Sequence, residues 1–137
     1  MRIPPQPKAR LVHPLAWVIE PLEKDPTLVV RAMFGCRAVY LHGRLVLCLA
    51  AKREPWLGVL VPTDRAHHAG LIAERPALRP HAVLAKWLYL PESVASFERD
   101  AAWLVERARA GDPRVGIAPG ESRQSGRKRA DSGRQGL

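Results

Sequence analysis

One proline-rich stretch has the residue types of an anion site. Arg75, Arg79, His81 and Lys86 are the densest basic group within the body of the chain. Prolines at Pro76 and Pro80 hold such a segment extended, and planar guanidinium groups suit phosphate or carboxylate. The competing reading is a solvated loop whose arginine stems cover apolar surface. Arg31, Arg37 and Arg44 form a second cationic set.

Other reactive side chains are sparse. Cys36 and Cys48 are the only cysteines. If His42–Gly43 is a two-residue hairpin turn, Arg37 faces Cys48 and Cys36 faces Leu49. The cysteines then point to opposite faces of the sheet, which argues against a bridge. A slip of one residue would undo that argument. Both thiols read as small buried hydrophobes. His67 and His68 are neighbours on a predicted helix, about 100° apart, and cannot chelate one ion together. His13, His42 and His81 stand singly, so no ligand set for a metal emerges. No glycine-rich phosphate loop, H-E-x-x-H or G-x-S-x-G motif occurs. We expect no catalytic residue, no metal and no cofactor, and therefore not an enzyme.

Charge and length bound the rest. The chain has 137 residues and a formal charge of +9. That is one domain's length, with 47% hydrophobic residues to fill a core. Two thirds of the excess charge lies in residues 1–10 and 118–137. Such ends are expected to touch nucleic acid or other anionic surfaces weakly, without sequence preference. The longest apolar run, Leu45 to Ala51, is too short to span a bilayer. Pro4, Pro5, Pro7 and Pro14 break any signal-peptide core, so a cytoplasmic location without membrane association is expected.

The elements that position these groups are legible in outline. A short helix is predicted over 13–23, disturbed by Pro21. Leu28–Met33, Cys36–Leu41, Arg44–Ala51 and Trp56–Val61 read as strands of a meander joined by short turns. A helix is predicted from Thr63, as N-cap, to Glu74. A loop over Arg75–Pro80 precedes a fifth strand, Val83–Leu90. In the last helix Phe97, Ala101, Leu104, Val105 and Ala108 form one apolar face, capped by Ser93 or Ser96 and stopped by Gly111. With the hairpin register above, Cys36, Ala38, Tyr40, Leu45, Leu47 and Leu49 face the core. The opposite face, with Val39, Leu41 and Val46, is expected to lie under a helix, with a dimer contact as the alternative. Trp17, Trp56, Trp87 and Trp103 read as parts of one shared core. Residues 1–10 read as a disordered leader and 118–137 as a disordered basic tail.

Arg31, Met33, Phe34 and Gly35, in an Arg-x-Met-Phe-Gly turn, resemble the N-terminal domain of the TfoX/Sxy competence-regulator family, which is related in fold to MmcQ/YjbR-like proteins. A following strand ending at Tyr40, the His42–Gly43 hairpin and Leu90–Pro91–Glu92 before the last helix extend the resemblance over roughly residues 11–110, within a single domain expected over residues 11–117. The family's usual second glycine is Cys36 here, and its usual lysine near Leu57–Leu60 is missing. The resemblance implies an α+β domain: a curved antiparallel sheet of about five strands flanked by about three helices. It carries over no catalytic residue.

The function expected from these features is a small binding or interaction domain of regulatory type, with a protein partner or a second copy. One alternative is a nucleic-acid-associated protein that uses the basic ends and the Arg75/Arg79 loop. Another is an enzyme or small-ligand protein whose site is invisible in sequence.

Overall fold

A computed structural model describes residues 12–118. The expected leader and basic tail lie outside the described residues, except for Ala118.

The described chain opens with the short helix expected over 13–23, which is a 3-10 helix, Ala16–Leu22. Pro21 lies inside it, lacks a donor, and would clash with a carbonyl one α-turn earlier. The three-residue period stacks Leu15 on Val18 and Ile19 on Leu22, and all four are buried.

Strands β1 (Val29–Met33), β2 (Cys36–Leu41), β3 (Arg44–Ala51) and β4 (Leu57–Val61) follow as an antiparallel meander. Both of its first two turns are two residues long. Phe34 and Gly35 have φ of 56° and 77°, and His42 and Gly43 have 54° and 78°. Positive φ at both central residues is the type I′ geometry that matches strand twist. A 3-10 turn, Arg65–His67, leads into α1 (His68–Glu74). Thr63 does not cap this helix. Its hydroxyl instead donates to the Arg114 carbonyl at 2.7 Å.

Strands β5 (Arg79–Pro80) and β6 (Leu88–Pro91) complete a six-stranded sheet of order β1-β2-β3-β4-β6-β5. Of the expected strand Val83–Leu90, only Leu88–Leu90 is strand and the rest is loop. His81 bends it, because its Nδ1 accepts the N–H groups of Val83 and Leu84 at 3.1 and 2.9 Å. The sixth strand is Arg79–Pro80, expected as loop. Helix α2 (Phe97–Arg109) buries Phe97, Ala101, Leu104, Val105 and Ala108 as predicted. Gly111, with φ 79°, follows it. The α+β class, with an open antiparallel sheet and three helices, matches the expectation.

The hairpin register departs from the sequence reading. Tyr40 pairs with Leu45 but Val39 pairs with Leu47, so Val46 is an extra residue on β3. This bulge shifts everything beyond it by one position. Leu47 and Leu49 now join Val39 and Leu41 in the layer under the helices. Cys36 and Cys48 lie together on the other face, with Ala38, Leu45, Ala50 and Leu60. The helix-covered face is the one expected to be covered. The tryptophans do not share one core. Trp103 packs in the helical layer and Trp17 meets Phe97 edge-on, whereas Trp56 and Trp87 lie on the opposite face.

After α2 the chain returns to the sheet. Leu45 and Ile117 exchange both backbone hydrogen bonds, at 2.9 and 3.0 Å, where β4 has already ended. Arg44 fixes this return by donating to the Gly116 carbonyl at 2.6 Å.

Candidate binding face

The sheet face away from the helices carries the most unusual surface. At one edge of it Phe34 occupies the tip of the β1–β2 turn. Its backbone is left-handed and its side chain is exposed, with a relative exposure of 58%. A bulky residue in that region is uncommon and costs energy. Its ring centroid lies 6.4 Å from that of Trp56, tilted by 55°.

Trp56 is held from beneath. The edge of His81 meets it at 4.5 Å, and Tyr89 meets His81 at 5.2 Å. The buried His81 donates from Nε2 to the Pro55 carbonyl at 2.7 Å, because its Nδ1 is already an acceptor. Its ring is therefore neutral, and burial holds its pKa below the usual imidazole value. The Tyr89 hydroxyl accepts the Leu57 N–H at 2.8 Å and lies 2.9 Å from Glu54 Oε1. Burial pushes the Tyr89 phenol up to about 12, helped by the adjacent Glu54.

One cation lies at the Phe34 turn, and others are spread over the same sheet face. Lys52 leaves β3 and crosses to the Phe34 turn. A Cβ on Gly35 would come within 2.6 Å of its Nζ. Arg53 follows in the same turn. Arg31 lies 5.8 Å over the Tyr40 ring on this face, and Arg79 pairs in register with Tyr89. All four are exposed, and among the described residues none is ion-paired to a carboxylate.

Of the residues expected to bind an anion, the structure brings together only part. Arg75 turns to the helical layer, 4.9 Å over the Trp103 ring and 3.5 Å from the buried carboxylate of Asp100. His81 is buried and fully bonded. Arg79 is exposed on the binding face. The Lys86 carbonyl is bonded to His68 Nε2 at 2.8 Å. The second cationic set is also dispersed. Arg37 lies beside His13, lowering its pKa after burial does, and Arg44 is bound to the C-terminal return.

The cysteines are not nucleophiles in waiting. Both are buried, and burial raises both thiol pKa values. Cys36 Sγ–H donates to the Phe34 carbonyl at 3.6 Å, beneath the turn. Among the described residues no three His, Cys, Asp or Glu side chains gather as metal ligands, and no helix is long and apolar enough to cross a membrane.

Arg31, Met33, Phe34 and Gly35, singled out in the sequence, build one side of this face. Lys52 and Trp56 were missed as partners. The available signal was a large aromatic at a hairpin tip, where Asn or Gly would suit the backbone. No protein-family model, curated protein or solved structure matches this chain.

Proposed function

We propose that the chain is a non-enzymatic binding module of the TfoX N-terminal type, acting through the Phe34–Trp56 face on a negatively charged partner. One observation carries this reading. Phe34 is exposed in a conformation that disfavours it, beside a second aromatic ring and the Lys52 side chain, which has no carboxylate partner among the described residues. Strain of this kind persists where the displayed side chain is used. The stretch that carries the family resemblance, Arg31 to Gly35, forms the exposed edge of the face.

The charge also argues about the partner. A two-fold pairing of this face with a second copy would set cation against cation, which disfavours self-association. Support for binding over catalysis comes from the reactive groups themselves. His81 is locked neutral, the thiols are buried, and Asp100 accepts from Ser96 Oγ at 2.6 Å. A cytoplasmic location belongs to this proposal and agrees with two unpaired thiols.

Backbone amide shift mapping of the full chain tests the reading, with an oligoglutamate peptide and an oligothymidylate as anionic probes. Shifts centred on Phe34, Lys52 and Trp56 with either probe are expected. Shifts with neither, or shifts that avoid these residues, would overturn it.

A further inference from the structure

We infer that the partner of the Phe34–Trp56 face is single-stranded nucleic acid, with an unpaired base stacked on Phe34 and the adjoining phosphates on Lys52 and Arg53. This rests on the reading of the face as a site for an anionic partner, and it names the class.

Stacking needs a ring with an open face that does not move when the base arrives. Phe34 is open and sits on a two-residue turn whose backbone is fixed by its strands. Its neighbour Trp56 is braced by His81, which is itself held by three hydrogen bonds. An aromatic platform of this kind binds any base, because every base offers a π-face. The flanking charges are the second requirement. Lys52 reaches the same turn and Arg53 is next to it in the chain, while Arg31 on β1 and Arg79 on β5 add positive charge at the two edges of this sheet face. A strand has alternating flat rings and anionic phosphates, and this surface has rings beside cations.

The other anionic partners fit less well. An acidic peptide would satisfy the cations but leave the exposed Phe34 ring without a flat counterpart. Duplex nucleic acid keeps its bases paired and stacked on each other, so Phe34 would gain nothing from it. The basic ends add charge without rings, which distinguishes their contribution from that of this face.

The test is fluorescence anisotropy of a labelled short oligothymidylate with the full chain, with a duplex of equal length and an oligoglutamate peptide as competitors. Phe34→Leu keeps an apolar side chain and removes the π-face. It is expected to weaken oligothymidylate binding about tenfold, within the range of base stacking. Lys52→Gln is expected to reduce the slope of log affinity against log salt by about 0.7, the loss of one phosphate contact to a single strand. The duplex should compete poorly. Circular dichroism confirms that both variants fold. Unchanged binding in Phe34→Leu would overturn the inference and place the affinity on the basic ends. Binding of oligoglutamate without oligothymidylate would also overturn it, while leaving the anionic-partner reading intact. Binding of neither overturns both.

Discussion

Phe34 and Trp56 face each other across two hairpin turns, 6.4 Å between ring centroids, although Phe34 must adopt φ 56° to do so. A left-handed backbone costs a side-chain-bearing residue about 1–2 kcal/mol. A tilted, half-exposed ring pair returns about 0.5–1.5 kcal/mol, and this one belongs at the low end.

Phe34→Asn should therefore stabilise the protein by about 0.5–1 kcal/mol, since Asn-Gly is the preferred type I′ pair. The same variant should lose the binding described above. A urea midpoint that rises while affinity falls would show a residue kept for use. A falling midpoint would mean that the ring contact outweighs the strain.

His81 sets a pH dependence. Its folded-state pKa lies below the ordinary value of 6.5 because the ring is buried. The unfolded chain therefore takes up a proton that the folded chain refuses, and stability rises with pH in that window. Stability should be full above about pH 6.5 and fall below it, until the folded ring itself protonates. His13 is shifted the same way by burial and Arg37, and contributes the same sign. Denaturant midpoints between about pH 7.5 and pH 5.5 measure the slope around the ordinary imidazole value. It should persist in His13→Asn and shrink in His81→Gln. A slope untouched by His81→Gln would refute the assignment.

Two glycines should respond in opposite directions. Gly58 has φ 152°, and a Cβ there would overlap the Leu90 carbonyl oxygen on β6. Gly58→Ala should cost more than about 2 kcal/mol, through strain and a displaced strand. Gly70 lies on α1, where an added Cβ meets only Arg114 Nη1 at 3.7 Å. Gly70→Ala should stabilise by up to about 1 kcal/mol, the helix-propensity difference. Thermal unfolding of the pair would decide both.

Asp100 anchors the helical layer. Its side chain is 4% exposed, accepts from Ser96, and faces Arg75, whose Nε is buried without a partner among the described residues. Asp100→Ala should cost about 3 kcal/mol, because it strands a partly buried guanidinium. Arg75→Met combined with Asp100→Leu should recover most of that loss. Chemical denaturation of the single and double variants measures the coupling, and strict additivity would argue against a paired role.

The sequence by itself determined the elements whose requirements are local. Phe34–Gly35 and His42–Gly43 became turns because two residues between strand-like runs leave little choice but positive φ. The face of α2 was readable because burial repeats at the helical period, and Gly111 marked its end. The tertiary structure alone decided what depends on partners far along the chain. Val46 became a bulge within an apolar run that carries no period to register it, and this brought Cys36 and Cys48 to one face. His81 looked like an anion ligand until its ring met Pro55, 26 residues away, and bent a predicted strand into a loop. Arg75 had the same composition-based claim as Arg79, yet Asp100 and Trp103 drew it to the opposite side of the sheet. Side-chain hydrogen bonds and cation–aromatic contacts act over a few ångströms in space with no regard for sequence separation. The placement of Lys52 and Trp56 beside Phe34 was fixed only when β1 through β4 had paired.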